Sequence, residues 1–173
     1  MLNQLNKSIF ILLLAILFFS QISFAQAPNF NWANRAGGTD NDYAASITSD
    51  ASGNVYVTGY YANTTITFGT ITLTRTSNSS DGFLVKYNSS GVVQWAINMG
   101  STFSTIPYDV VTDASGNIFV TGTFSSATHT FGSSTLTNSN PGGGYGDIFL
   151  AKFDPSNGNA LWAKQATGVT GNK

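Results

Sequence analysis

The chain has 173 residues, 7 Lys and Arg together, 8 acidic residues that are all Asp, a formal net charge of −1, one His and no Cys. The lack of Cys excludes a thiol nucleophile, a disulfide framework and a Cys-based zinc site, and the lack of Glu excludes a glutamate acid or base. So few basic side chains cannot neutralise many phosphates, and we expect no nucleic-acid partner.

The first 25 residues have the layout of a secretory signal peptide. Lys7 precedes an apolar run of eleven residues from Ile9 to Phe19, and the small residues Ser23 and Ala25 follow. Eleven residues of helix rise about 16 Å, which is too short for a hydrocarbon core of about 30 Å. The pattern predicts cleavage after Ala25, a secreted or cell-surface protein, and no membrane span in the mature chain.

The rest of the chain is one unit written twice, with a third copy begun. Residues 32–76 and 95–139 align without gaps and share 19 identities in 45, among them DASGN, VTG, TFG and TLT. Each copy opens on a Trp-Ala pair. Such self-similarity indicates a repeat protein. We assign 26–31 to a short lead-in, 32–94 and 95–161 to two full repeats, and 162–173 to the truncated start of a third.

Each repeat predicts strands rather than helices. Thr, Ser, Asn and Gly are poor in helix interiors, while Val, Ile, Tyr, Phe and Thr suit a pleated surface. DASGN at 50–54 predicts a hairpin turn, with Gly53 supplying the positive φ of a bulged turn. Strands are expected near 83–87 and 92–97, and alternation over 65–76 predicts an added strand pair. A four-stranded antiparallel unit at fixed period is typical of a β-propeller blade, so the predicted fold class is all-β.

The same residues carry a resemblance to a known family. Trp-Ala-x-x-x-Gly-Gly, DASGNVYVTG, TFG and DGFLVKYNSSGVVQWA together resemble the bacterial SBBP β-propeller repeat over essentially all of 32–173. The resemblance implies a secreted or surface-displayed bacterial propeller of unassigned activity, in a family that often carries a carboxy-terminal sorting domain. Propellers close with 4–8 blades, so we expect a fragment of a larger propeller. Further blades in the same chain, or self-association, would close it.

Positions that recur in both repeats are interpreted as structural. The acidic positions also suit calcium, but their spacing lacks the alternating ligands of an EF-hand loop, and an Asp that accepts backbone N–H bonds explains a turn equally well. The tryptophans are interpreted as packing residues between blades rather than as sugar-stacking platforms. The structural repeat positions are Trp32, Trp95, Trp162, Asp50, Asp113, Gly53, Gly116, Asp81 and Asp147.

Positions that differ between repeats are the predicted ligand-binding residues, because loops on a rigid scaffold usually carry specificity. We predict Tyr60, Tyr61 and Tyr145 as exposed tyrosines for a glycan or protein partner. His129 is the one possible imidazole base, and we interpret it as an exposed strand or loop residue. Lys86 and Lys152 share one strand position and are expected on a solvated strand face.

The leading hypothesis is therefore a secreted, non-catalytic propeller module that binds a glycan or protein, with no cofactor. One alternative is part of a propeller enzyme, since FDPSNGNALWA at 153–163 resembles the Trp-bearing repeat of quinoprotein dehydrogenases. Another alternative is a structural or adhesive surface repeat.

Overall fold

The computed structural model describes residues 31–141 and 146–166. The fold below is that of the unit that begins at Trp32. The signal peptide predicted at 1–25 lies outside the described residues. In the part of the chain that is described, no helix is long and apolar enough to cross a membrane.

Thirteen strands follow one another within the described ranges, and they include every repeat element expected from the sequence. They are β1 (Ala36–Gly37), β2 (Asp42–Ser49), β3 (Val55–Tyr61), β4 (Thr65–Phe68), β5 (Ile71–Thr74), β6 (Asp81–Tyr87), β7 (Val93–Asn98), β8 (Thr105–Thr112), β9 (Ile118–Phe124), β10 (Thr128–Phe131), β11 (Ser134–Thr137), β12 (Asp147–Phe153) and β13 (Ala160–Ala166).

These strands form two equivalent four-stranded antiparallel sheets. Blade 1 has the order β2-β3-β6-β7, and blade 2 has the order β8-β9-β12-β13. The hairpin β4–β5 leaves blade 1 between its second and third strands, and β10–β11 does the same in blade 2. This arrangement confirms the predicted fold class, all-β with β-propeller blades and an added strand pair. The fourth strand of each blade carries its tryptophan, Trp95 or Trp162.

The main apolar core lies between the two blades. Side chains alternate across a strand, so each blade has two faces. We call the face of blade 1 that packs on blade 2 its back face. Tyr56, Leu84 and Trp95 of this face form one buried cluster with blade 2 residues such as Val120 and Phe149. A second cluster covers the opposite, front face of blade 1 with the β4–β5 hairpin and Trp32.

Candidate functional site

The two DASGN turns are held by their aspartates. Asp50 Oδ1 accepts hydrogen bonds from the backbone N–H of Ser52 (2.9 Å) and Asn54 (3.0 Å), and Oδ2 accepts from Asn54 Nδ2 (2.8 Å). Partial burial raises the pKa of Asp50, but hydrogen bonds from Asn54, Tyr56 and Ser52 outweigh it and leave the pKa below its ordinary value. A carboxylate whose oxygens are engaged in this way is a turn-forming group.

The turn of blade 2 repeats this pattern. Asp113 Oδ1 accepts from the N–H of Ser115 (2.9 Å) and Asn117 (2.9 Å), and Asn117 Nδ2 donates to Oδ2 (2.7 Å). Gly53 and Gly116 have φ of 76° and 79°. Among the residues described, no three or more His, Cys, Asp or Glu side chains are grouped for a metal ion.

We expect Gly116→Ala to lower the free energy of unfolding by about 1 kcal/mol, because a non-glycine residue is disfavoured at positive φ. A Cβ at Gly116 would meet no atom within 4 Å, so the loss would report backbone strain alone. Gly116→Asn should cost less, since Asn tolerates this conformation. Urea denaturation of the three proteins measures both losses, and a larger loss for Asn would contradict this origin.

The second pair of repeated aspartates ties each blade to its hairpin. Asp81 is 0% exposed and accepts from the backbone N–H of Thr76 (2.6 Å) and Ser77 (3.0 Å) and from Asn98 Nδ2 (2.8 Å). Burial raises its pKa, but these hydrogen bonds outweigh burial and keep the pKa below its ordinary value. Asp147 of blade 2 accepts from both the N–H and the hydroxyl of Ser139, each at 2.8 Å.

Two of the tryptophans, Trp95 and Trp32, dock onto turns. Trp95 Nε1 donates to the carbonyl of Pro155, in the β12–β13 turn of blade 2 (3.2 Å), and Trp32 Nε1 donates to the carbonyl of Ser89, in the β6–β7 turn of blade 1 (3.2 Å). A glycine follows in each turn and lies under the indole. A Cβ on Gly91 would lie 2.5 Å from Trp32 Cδ2, and a Cβ on Gly158 would lie 2.9 Å from Trp95 Cε3.

Lys86 also belongs to this contact. Its Nζ donates to the same Pro155 carbonyl (2.8 Å) and lies 5.4 Å from the centre of the Tyr56 ring. The expected solvated strand face is therefore half-buried at Lys86, because blade 2 covers it. The segment 153–163, which resembles a quinoprotein repeat, supplies this turn and so packs the blades together.

A polar cleft lies between the DASGN turns of the two blades. Its volume is about 530 Å³, and its lining includes Asp50, Asp113, Tyr56, Lys86 and Pro155. The Asp50 and Asp113 carboxylates hold their turns, and the Lys86 ammonium is bonded to Pro155. Because these charged groups already form structural hydrogen bonds, few charged groups of the cleft are left to bind a ligand.

The three predicted ligand-binding tyrosines differ in their surroundings. The expectation that Tyr61 is exposed is wrong, since its side chain is 0% exposed and packs in the front-face cluster with Ile66 and Phe83. Tyr61 lies on the side of β3 that faces the front of blade 1, which explains its burial. Because it is buried, Tyr61 is not a ligand contact. Tyr145 lies outside the described residues. Tyr60 is half-buried and lies at the strand ends opposite the Asp50 turn.

Sequence reasoning missed Tyr43, the partner of Tyr60. The two residues face each other in the β2–β3 ladder, and their rings stack with centres 4.8 Å apart and planes 20° apart. Tyr43 is 48% exposed. In blade 2 the equivalent pair is Ile106 opposite Thr123, so within the described residues this aromatic pair is particular to blade 1.

His129 is buried rather than exposed as expected. It lies on β10, is 2% exposed, stacks on Phe124 with ring centres 5.9 Å apart, and meets Phe131 edge-on at 4.2 Å. Neither ring nitrogen has a hydrogen-bond partner within the described part of the chain. Burial lowers the pKa of His129 to about 4, against a smaller raising effect of the Asp81 carboxylate. A neutral imidazole here packs as an aromatic ring.

Comparison with known proteins agrees with the blade architecture. The chain is 30% identical over 161 residues to an uncharacterized WD repeat-containing protein of Acanthamoeba polyphaga mimivirus. WD repeats are propeller repeats. The alignment covers 86% of this chain and 12% of that protein, so the chain spans a small part of the relative's length. No protein-family model matches the chain.

Proposed function

We propose that the chain supplies blades of a secreted, non-catalytic β-propeller that binds an extracellular protein or glycan. The blade fold and the similarity to a WD repeat-containing protein support a scaffold or binding module. The repeated residues Asp50 and Asp113 hold turns, Gly53 and Gly116 supply the positive φ of these turns, and Trp95 packs one blade on the other. Recognition then rests on residues that differ between the repeats.

The compartment and the repeat family are further parts of this proposal. The Ile9 to Phe19 apolar run and the small residues before Ala25 support export, and the DASGNVYVTG and DGFLVKY motifs support a bacterial SBBP-type repeat. The ranges 32–94 and 95–161 are units of repeated sequence. The four-stranded sheets begin and end later in the chain than these units, because strand 93–98 is the last strand of blade 1 although Trp95 opens the second repeat.

The stacked pair of Tyr43 and Tyr60 is the observation on which the binding role rests. A planar, partly exposed pair presents apolar ring area and phenolic hydroxyls together, which suits the apolar face and hydroxyls of a sugar as well as a protein side chain. The pair is preorganised by the strand ladder and by mutual stacking, so little side-chain freedom is lost on binding. Beside it, Asp42 is held by hydrogen bonds from Asn63 Nδ2 (2.8 Å) and the Gly38 N–H (2.7 Å).

The double variant Tyr43→Ile and Tyr60→Thr tests this site, because it copies the Ile106 and Thr123 pair of blade 2 and should leave the blade folded. We expect at least about a tenfold loss of affinity, roughly 1.4 kcal/mol, since aromatic anchors dominate interfaces. A glycan array and a pull-down of extracellular proteins with the full chain provide the readout. Substitution of the turn residue Ser115 by Ala is the control on the opposite strand ends.

Retained binding in the double variant would contradict the site. Measurable turnover of a substrate, without any bound partner, would contradict the binding role and favour the enzyme alternative. A folded protein without either activity would support the structural or adhesive alternative.

A further inference from the structure

The two added hairpins differ in what lies beside their first strand. In blade 1, β1 pairs antiparallel with β4, with Gly37 opposite Thr67 and Ala36 opposite Phe68. In blade 2, β10 pairs with β11, and this hairpin is a sheet of two strands. Thr130 of β10 aligns with Thr67 in the repeat. The outer edge of β10 is therefore a strand edge with no neighbouring strand in the described structure.

The hydrogen-bond alternation of an antiparallel pair identifies the free backbone groups of this edge. The Asn138 N–H donates to the Ala127 carbonyl (2.9 Å), so Ala127 and every second residue after it direct their backbone groups at β11. Thr128 and Thr130 direct theirs away from β11. The Thr128 carbonyl accepts a hydrogen bond from Ser101 Oγ (3.2 Å), whereas the N–H and the carbonyl of Thr130 have no partner within the described residues.

A cleft of about 440 Å³ lies along this free edge, and we call it the β10 cleft. Thr130 and its neighbours in β10 form one wall, and the segment 97–100, which contains the end of β7, forms another. Met99, Phe131 and Phe153 contribute buried apolar side chains. A cleft of this size has room for a small ligand or a few residues of a peptide.

The β10 cleft stays open because the segment that could cover the edge is held elsewhere. Met99 and Gly100 align with the two residues of β1 in the first repeat. The Met99 N–H donates to the Gly82 carbonyl (2.7 Å), which continues the ladder between β6 and β7. The Gly100 N–H donates to Asn98 Oδ1 (2.8 Å). Both residues are thus bonded within blade 1, and neither pairs with β10.

The two edges of this hairpin are treated differently by the fold. On β11, the Thr137 carbonyl accepts from Gln165 Nε2 and the Thr137 N–H donates to Gln165 Oε1, both at 2.7 Å. A side-chain amide therefore already pairs with the β11 edge as a peptide group would. Charged residues, proline and bulges usually protect an edge strand. The β10 sequence, Thr-His-Thr-Phe, has none of these, and its ladder with β11 shows no register shift.

We propose that the β10 cleft binds an extended segment of a partner protein, which adds to β10 as an antiparallel strand. The pairing of β1 with β4 indicates this occupant, because the same edge of the other hairpin is covered by an extended segment. The N–H and carbonyl of Thr130 then bond to the main chain of the partner, which gives affinity with little dependence on side chains. The residues of β1 are Ala36 and Gly37, so we expect small side chains in the bound segment.

A synthetic peptide with the sequence of residues 33–40, which includes β1, is the probe for this site. We titrate it into the ¹⁵N-labelled protein purified from the full chain and follow the amide signals. We expect saturable shifts along β10 and at Met99, with a dissociation constant of roughly 0.1 to 1 mM. Hydrogen exchange of the Thr130 amide should slow about tenfold near saturation, because this N–H gains a partner.

Two matched changes separate strand addition from simple filling of the cleft. Replacing Gly37 of the peptide by N-methylglycine removes the N–H that donates to the Thr130 carbonyl, and we expect binding to weaken at least about tenfold. In the protein, Thr130→Pro removes the free N–H and should abolish binding, since proline is tolerated at a strand edge. Thr135→Pro is the control, because Thr135 lies opposite Thr130 on the other edge of the hairpin. Urea denaturation checks that both variants fold.

Absence of saturable binding at several millimolar peptide overturns the proposal. Equal binding of the N-methylated peptide, or binding without protection of the Thr130 amide, also overturns it, because the peptide would then not be a strand. The double variant Tyr43→Ile and Tyr60→Thr should bind the peptide as the wild type does, since these tyrosines lie in β2 and β3. Failure of this proposal is therefore distinguishable from failure of the tyrosine site.

Discussion

Replacing Leu84 with Ala is expected to lower the free energy of unfolding by about 2–5 kcal/mol, whereas Leu150→Ala should cost less than about 1 kcal/mol. Both leucines occupy the same position of the repeat and the same face of the third strand. Leu84 is 0% exposed beneath blade 2, and Leu150 is 42% exposed. Truncation at Leu84 therefore leaves a cavity in the core between the blades, while truncation at Leu150 removes area that water already reaches.

Urea denaturation of the wild type and of the two variants measures both losses. Similar losses at the two positions would contradict the difference in burial.

The strand order of a blade could be predicted from residue pattern and repetition. DASGN marks the first hairpin, and Gly53 and Gly116 have the positive φ expected there, 76° and 79°. The alternation of Thr with apolar residues over 65–76 predicts the added pair, which is observed as Thr65–Phe68 and Ile71–Thr74. These features depend on residues that are close together along the chain, so a single sequence is enough to predict them.

The tyrosine pair could not be predicted because it depends on a β-bulge. Ser49 opposite Val55 sets a ladder that, continued without interruption, would place Tyr43 opposite Tyr61. The register shift between Ala44 and Ser46 moves Tyr43 opposite Tyr60 instead. A bulge adds one residue to one strand and has no strong sequence signal. The sequence therefore indicates that tyrosines gather near position 60, but it does not show which ones pair.

Burial that arises between repeats is also hidden in the sequence. Tyr56 and Phe119 are both aromatic in a shared motif, yet Tyr56 is 0% exposed and Phe119 is half-buried. The difference comes from which blade lies alongside, and that is a property of neighbouring repeats rather than of the motif.

The alignment of His129 with Ile66 was a usable signal of a buried histidine, because Ile favours the interior.

His129→Ile is expected to stabilise the protein by about 1–3 kcal/mol at neutral pH, because it removes buried imidazole nitrogens that lack partners in the described structure. Ile66 fills the same position in blade 1 and is 2% exposed, so the replacement copies a side chain that the fold already accepts. A pocket of about 440 Å³, whose lining includes His129, Phe131 and Met99, lies beside this position and gives the new side chain room to adjust.

The same substitution should also remove part of the acid sensitivity of the fold. Burial lowers the pKa of His129 to about 4 from an ordinary value of 6.5. The unfolded chain therefore binds a proton at a pH where the folded chain does not, and stability is lost as the pH falls from about 6.5 to about 4, by up to roughly 3 kcal/mol.

Urea denaturation between pH 7 and pH 4 measures this sensitivity in wild type, His129→Ile and the converse variant Ile66→His. Aspartates whose pKa is lowered, such as Asp81, make all three proteins less stable in acid. The differences in slope between the proteins therefore report the contribution of the histidine. We expect the slope against pH to be shallower in His129→Ile and steeper in Ile66→His, since a second buried imidazole would have to be discharged on folding. Equal slopes in all three would show that the imidazole is solvated or bonded, and the buried aromatic role of His129 would then be wrong.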